Sequence, residues 1–251
     1  MSCREVRKHL KKPGTDSREL YTKNGKLVKT KQISNTVWTV AMTVAYRRQP
    51  TVRESLLSLK QAGWHSALLF SEPDANHLPP NSEESSIFLA EDKLGAWPNF
   101  CRMIKCLSET VKTDKVLIVQ DDIQIKRKYR HWLENNWPTS EGIVSLYRSS
   151  RYQVLNPESD WEILDFGKPF LGSLAVAMSL DHLKSLALNL EAFTDGNDRQ
   201  VDIKLGKFAT GLKIPLFIPV KSGVQHTGDT SSIYARATNS GARRANTYEE
   251  E

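Results

Sequence analysis

The sequence of 251 residues contains little cysteine and no long apolar run. Its three cysteines, Cys3, Cys101 and Cys106, form neither an even set nor a CxxC pair, so no disulfide framework is expected and a reducing compartment is favoured. No stretch reaches the roughly 18–20 continuous apolar residues of a membrane span, and the N-terminus lacks the apolar core of a signal peptide. These absences predict a cytoplasmic protein, or the soluble part of an anchored one.

Positive charge is concentrated at the N-terminus. The net charge is +6, but residues 1–31 contain ten Lys and Arg against three acids, so the remaining 220 residues carry a net charge of −1. The basicity therefore belongs to an arm, residues 1–35, and the body is nearly neutral. Such an arm is either a solvated terminus or a segment that contacts phosphates or an anionic membrane surface.

Strand and helix patterns alternate after residue 35, and no internal repeat is visible. Strands are expected at 36–45, 65–71, 115–125, 142–147 and 172–179 and, as an edge strand, at 214–220. Helices are expected at 51–63, within 93–110, at 180–192 and at 202–209. The alternation predicts a single α/β domain, residues 36–235, with a mostly parallel, doubly wound sheet and a polar tail, residues 236–251. Ligands of such sheets bind beyond the carboxyl ends of the strands.

Two adjacent acids end the most apolar strand. Asp121 and Asp122 follow K-V-L-I-V-Q, where two neighbouring negative charges are costly unless a cation joins them. Hard divalent cations prefer carboxylate oxygens and often bridge them to a diphosphate. The alternative is that both acids simply cap the following turn.

A second polar cluster lies in S-G-V-Q-H-T-G-D-T-S-S, residues 222–232. His226 is a candidate metal ligand, because a neutral imidazole can complete a metal shell. Gly223 and Gly228 permit close backbone approach to phosphate oxygens, and Ser231 and Ser232 offer hydrogen-bond donors. The alternative is an ordinary turn with an exposed histidine.

A third cluster, D-G-N-D-R-Q-V-D at 195–202, places three carboxylates at the head of a short helix. Negative charge is favoured there by the helix dipole. One of these acids is a candidate base that removes a proton from an acceptor hydroxyl. A plain N-cap role would satisfy Asp198 or Asp202 equally well.

Taken in order, four segments resemble the N-acetylglucosaminyltransferase IV family, whose members have the GT-A fold. They are I-V-Q-D-D-I-Q-I-K-R-K-Y, L-D-F-G-K-P-F-L-G-S-L-A-V-A-M-S-L-D-H-L, V-D-I-K-L and V-Q-H-T-G-D-T-S-S-I. The likeness spans residues 37–235, and Gln120 stands where the family has a Glu. The resemblance implies a UDP-sugar donor, a Mn²⁺ or Mg²⁺ cofactor and inversion at the anomeric carbon.

The resemblance also implies roles for individual residues. Asp122 would be the principal metal ligand with Asp121 as its partner, and His226 would lie at the diphosphate. Asp202 is favoured over Asp198 as the base, because V-D-I-K-L is similar to the family's D-W-L-L segment. The residues implied at the nucleoside, ribose or diphosphate are Ala45, Tyr46, Arg47, Asp74, Asn99 and Arg102.

The sequence thus predicts an inverting, metal-dependent glycosyltransferase of GT-A type, a soluble bacterial or viral relative of that family. The acceptor is expected to be a glycan hydroxyl; a hydroxymethylated base in DNA is the alternative, which the basic arm would suit. A non-catalytic nucleic-acid-binding protein with a degenerate transferase fold is a hypothesis from another class. Trp97, Trp161 and Phe170 either stack on substrate or pack in the core.

Overall fold

The computed structural model describes residues 36–47, 49–80, 84–193, 201–228, 244–245 and 247–249. Ten strands lie within these ranges: β1 (Trp38–Val44), β2 (Ala67–Ser71), β3 (Ser85–Leu89), β4 (Lys115–Gln120), β5 (Ile123–Ile125), β6 (Ile143–Ser145), β7 (Trp161–Ile163), β8 (Ala175–Ser179), β9 (Leu216–Pro219) and β10 (Val224–His226). The α-helices there are α1 (Val52–Ala62), α2 (Ala96–Thr110), α3 (Tyr129–Asn135), α4 (Leu180–Asn189) and α5 (Val201–Gly211). None of these helices is long and apolar enough to span a bilayer.

Eight strands form one large sheet in the order β3-β2-β1-β4-β8-β6-β9-β7, and β5 pairs with β10 in a small antiparallel ladder. The first four strands of that order are parallel to one another, and β8 runs antiparallel between β4 and β6. Helices cover both faces of the sheet. The predicted α/β architecture with a mostly parallel sheet is therefore confirmed.

Alternating side chains of the central strands supply the two halves of the core. On β1, Ala41 faces the cluster formed with α2, α4 and α5, whereas Val40 and Met42 face the cluster formed with α1 and α3. Side chains of β4 alternate in the same way, as the period of two in a strand requires. This double burial explains why both strands are almost entirely apolar in sequence.

The order in which strands are added to the sheet reverses between β1 and β4, which is the topological switch point of the fold. From β1 the connection through α1 leads to β2 on one side, and the connection from β3 through α2 returns to place β4 on the other side of β1. A crevice opens at the carboxyl ends of two neighbouring strands where such a reversal occurs. Residues that follow β1 and β4 therefore lie together at the natural ligand position of the sheet.

Two details of the predicted strands are wrong. The strand expected at 115–125 is interrupted, because β4 ends at Gln120 and β5 begins at Ile123 in the other sheet. The strand expected at the edge, 214–220, is internal, since β9 lies between β6 and β7 and the short β7 forms the edge. The interruption at Asp121 and Asp122 occurs because their side chains and backbone bind residues outside the sheet.

Residues of the predicted C-terminal tail contact the domain. Ala245 is buried and exchanges backbone hydrogen bonds with the Gln225 side chain. The Ser222 N–H donates to Thr247 Oγ1 at 3.0 Å. These contacts place residues 245 and 247 beside β10.

Candidate active site

Asp121 and Asp122 are buried at the end of β4, with 3% and 0% of their surface exposed. The Ala45 N–H, at the end of β1, lies 3.4 Å from Asp121 Oδ2. The Ser55 hydroxyl lies 2.9 Å from the Asp121 carbonyl oxygen and accepts the Ile123 N–H at 3.0 Å. Helix α1 therefore fixes the bend between β4 and β5, and the acids lie inside the crevice rather than on an exposed turn.

Arg47 joins the two acids. Its Nε and Nη2 lie 2.9 and 2.6 Å from Asp121 Oδ1, and its Nη1 lies 2.8 Å from Asp122 Oδ2. The Asn76 side chain holds the Arg47 backbone, since its Nδ2 donates to the Arg47 carbonyl oxygen at 3.1 Å. Arg47 is buried, so a fixed guanidinium neutralises one of the two negative charges in the crevice.

The pKa values of this cluster reflect burial and pairing together. Burial raises the pKa of the Asp121 carboxyl above its ordinary value, and the neighbouring Arg47 charge opposes that increase. Burial alone would lower the pKa of Arg47, but the charges of Asp122 and Asp121 outweigh it and hold that pKa above its ordinary value. Arg47 thus stays charged under all physiological conditions.

His226 reaches the same point from β10. The β10 ladder pairs His226 with Ile123, and the Thr227 N–H donates to the Asp122 carbonyl oxygen at 2.9 Å. His226 Nε2 lies 2.9 Å from Asp122 Oδ2. Gly228 packs so closely that a Cβ there would lie 2.5 Å from Asp122 Oδ2. The structure therefore brings together Asp121, Asp122 and His226, which the sequence predicts as metal ligands.

Asp122 and His226 could hold a divalent cation only together with further ligands from a substrate or from water. Within the described residues, no group of three or more His, Cys, Asp or Glu side chains is arranged to hold a metal ion by itself. Asp122 Oδ2 and His226 Nε2 nevertheless have the separation of neighbouring ligands in an octahedral shell, roughly 3 Å. Mg²⁺ sites in phosphate-binding proteins typically use one or two carboxylates, with phosphate oxygens and water completing the shell.

Asp202, the favoured candidate base, lies in the first turn of α5. Its Oδ1 accepts the Ser173 N–H at 2.6 Å, and Ser173 Oγ lies 3.3 Å from Gln120 Nε2. The Gln120–Ser173–Asp202 chain connects this carboxylate to the end of β4, one residue before Asp121. Asp198, Ser231 and Ser232 lie outside the described residues.

The residues predicted at the nucleoside differ in their contacts. Tyr46 is 51% exposed beside Arg47, which leaves its ring open to a ligand. Asp74 forms an exposed ion pair with Lys93 at 2.6 Å. Asn99 Nδ2 donates to the Phe70 carbonyl oxygen, and Arg102 Nη2 donates to the carbonyl oxygens of Ser71 and Phe88. These contacts of Asn99 and Arg102 hold the carboxyl ends of β2 and β3.

Sequence reasoning overlooked Glu72. This acid is buried directly after β2 and accepts the N–H groups of Leu94 at 2.8 Å and Gly95 at 2.9 Å. It fixes the start of α2, where Gly95 adopts φ +84°. The signal that reveals Asp121, an acid directly after a buried parallel strand, could have found Glu72 as well.

The aromatic candidates pack against protein. Trp97 and Phe170 are buried within the core cluster of α2, α4 and α5. Trp161 is half-buried, with its ring centroid 5.5 Å from that of Trp132. Core packing, the alternative to substrate stacking, is the role that these contacts support.

No protein-family model matches the sequence, and a search of curated proteins finds no match. Solved structures with a similar fold include HddC from Yersinia pseudotuberculosis. The match has 12% sequence identity and a TM-score of 0.44, and it covers 72% of this chain and 89% of that chain. Another is a nucleotidyl transferase from Methanothermobacter, at 10% identity over 73% of this chain and 87% of that chain, with a TM-score of 0.45. Likeness at this level assigns no activity to this chain.

Proposed function

We propose that the protein is a glycosyltransferase that moves a sugar from a nucleoside diphosphate sugar to an acceptor hydroxyl. The observation that carries the proposal is the pair of buried carboxylates, Asp121 and Asp122. They lie at the carboxyl end of β4, where the strand order of the sheet switches. Two acids without access to solvent are costly unless cations meet them. The same crevice contains Arg47, whose guanidinium suits a diphosphate, and His226, whose imidazole suits a divalent cation.

A divalent Mn²⁺ or Mg²⁺ would be held by Asp122 and His226, with Asp121 beside them. When bound, it neutralises the negative charge that develops on the diphosphate as the bond to the sugar breaks. Arg47 supports the same charge through its guanidinium fork. Tyr46, exposed next to Arg47, offers its ring face to the nucleobase.

Asp202 acts on the acceptor. Its carboxylate takes the proton of the acceptor hydroxyl while that oxygen forms the new bond to the anomeric carbon, and the diphosphate leaves with the electrons of the old bond. A single displacement of this kind inverts the anomeric carbon and needs no covalent enzyme intermediate. The Ser173 N–H orients the carboxylate by binding Oδ1.

Thermal unfolding with UDP, ADP, GDP and CDP, each with Mn²⁺ or with EDTA, tests the donor site. A nucleotide at 100 times its dissociation constant should stabilise the fold by about 2.7 kcal/mol, and only with Mn²⁺ present. Asp122→Asn should remove this stabilisation together with hydrolysis of the sugar nucleotide. Asp202→Asn should keep the stabilisation and lose transfer, since the base touches only the acceptor. Equal nucleotide stabilisation in EDTA would contradict the metal assignment.

A further inference from the structure

The Arg47 side chain contacts the oxygen at which Asp122 and His226 would together bind a metal. Its Nη1 is 2.8 Å from Asp122 Oδ2, the same oxygen that lies 2.9 Å from His226 Nε2. Asp122 and His226 are both almost fully buried. A cation coordinated by Asp122 Oδ2 and His226 would therefore meet the guanidinium at contact distance.

Arg47 cannot relieve this conflict by losing its charge, because a guanidinium stays protonated in proteins. Two cations at one carboxylate oxygen repel each other strongly in a site that excludes water. The guanidinium and the metal therefore compete for Asp122 Oδ2. Because the Arg47 backbone is held by Asn76, the change falls on the side chain.

We propose that Arg47 is a resident counter-ion that makes metal binding conditional on the nucleotide. This inference rests on the proposed function and concerns how its site is loaded. Without nucleotide, Nη1 pairs with Asp122 and keeps the divalent cation weakly bound. When a diphosphate arrives, Nη1 exchanges Asp122 for a phosphate oxygen, and Asp122 Oδ2 becomes free for the metal.

The hydrogen-bond geometry suits a one-atom exchange. Nε and Nη2 both contact Asp121 Oδ1, at 2.9 and 2.6 Å, so Asp121 can keep the guanidinium while Nη1 changes partner. Guanidinium groups bind phosphate as well as carboxylate through the same planar fork. Metal and diphosphate should therefore bind cooperatively, with Arg47 as the group that couples them.

Titration calorimetry with Mn²⁺, in the absence and presence of saturating UDP, tests this coupling. The proteins are the wild type, Arg47→Met, Arg47→Lys and the control Arg53→Met, which changes an exposed arginine on α1. Without nucleotide, Arg47→Met should bind Mn²⁺ about 10-fold more tightly than the wild type, within the usual range of coupling between sites. Its further gain on adding UDP should be smaller than that of the wild type, and Arg53→Met should match the wild type.

Mn²⁺ affinity of Arg47→Met that equals or falls below that of the wild type, without nucleotide, overturns the proposal. If circular dichroism shows that Arg47→Met does not fold, Arg47→Lys decides. An ammonium lacks the fork that spans both acids, so Mn²⁺ alone should bind Arg47→Lys more tightly than the wild type, and equal or weaker binding overturns the proposal. Absence of any UDP effect on the wild type would instead contradict the proposed function, while the Mn²⁺ comparison still decides the role of Arg47.

Discussion

Asp122 is the residue around which the other site residues are arranged. Its Oδ2 lies within 2.9 Å of both Arg47 Nη1 and His226 Nε2, and its carbonyl oxygen accepts the Thr227 N–H. Full burial leaves the carboxylate no water to replace a lost partner, so small displacements should have large effects. Gly228, which packs against Asp122, can be changed without removing a charge.

Gly228→Ala tests how closely the site is packed. The added Cβ would lie 2.5 Å from Asp122 Oδ2 and 3.1 Å from its Cβ, so the carboxylate must move. Displacing a group that supports a metal ligand typically lowers metal affinity by about 10-fold or more. We therefore expect Mn²⁺-dependent UDP affinity, measured by calorimetry, to fall by at least that factor.

Gly211→Ala is the matched control, because a Cβ at Gly211 meets no atom within 4 Å. It should keep the wild-type nucleotide affinity. If both alanine variants behave like the wild type, the described packing of Gly228 against Asp122 is unimportant for the site.

Among the secondary-structure elements, the edge strand β7 is linked to the buried Arg148 by one ion pair. Glu162 Oε2 lies 2.8 Å from Arg148 Nη2, and its Oε1 accepts the N–H groups of Leu155 and Asn156. Burial opposes the charge of Glu162, but these N–H groups and Arg148 outweigh it and hold its pKa below the ordinary 4.5. Ionised Glu162 therefore stabilises the folded state above about pH 4.5, and this contribution is lost as the pH falls through the lowered pKa.

Glu162→Gln should lower the free energy of unfolding at pH 7 by about 3 kcal/mol, because it leaves the buried Arg148 without a counter-charge. Urea unfolding from pH 7 to pH 4 should show a constant difference from the wild type down to about pH 4.5 and a smaller one below it. Glu84→Gln, in an exposed pair with Lys60, should change stability by less than about 1 kcal/mol. A Glu162→Gln difference that does not vary with pH would contradict the ionic explanation.

Elements with a strong apolar pattern could be predicted from the sequence, and several short ones without such a pattern could not. Strand β1, helix α1 with its Gly63 C-cap, and helix α2 lie within the expected ranges. β3, α3 and β7 were not predicted, since they are short and their burial comes from packing on other elements. The interruption between β4 and β5 was missed because Ser55 and Arg47, far away in the sequence, cause it.

The candidate site shows the same limit. Acids after a buried strand and a histidine in a glycine-rich loop were visible as local patterns, and the structure brings them together. The contact of Arg47 with both acids was not visible, because it depends on β1 and β4 becoming neighbours. Asp202 as base, Asp198, Ser231 and Ser232 stay predictions.

For the whole molecule, the concentration of positive charge in residues 1–35 offers a test of whether the acceptor is a glycan or DNA. Deleting residues 1–31 changes the net charge from +6 to −1. With a glycan acceptor, the deletion should leave the acceptor KM and its salt dependence unchanged, and we expect this result because the rest of the chain is nearly neutral. Steady-state kinetics of the wild type and the deletion variant, at about 50 and about 200 mM salt, measure the acceptor KM and its salt dependence.

A full-length variant with the ten basic residues of 1–31 changed to Gln is the control that separates charge from chain length. Duplex DNA binding that weakens steeply with salt and disappears in both variants would point instead to a DNA acceptor. Donor hydrolysis should survive in both, since none of the predicted donor-site residues lies within residues 1–31.

The position of β10 near the end of the chain has a consequence for the synthesis of the protein. A chain is made from its N-terminus, and a domain generally folds as a unit during or after its synthesis. Arg47, Asp121 and Asp122 leave the ribosome well before His226 and Gly228, which close over Asp122. A chain that ended before β10 would still contain Arg47, Asp121 and Asp122, but it would lack His226 and Gly228, which contact Asp122 from the other side.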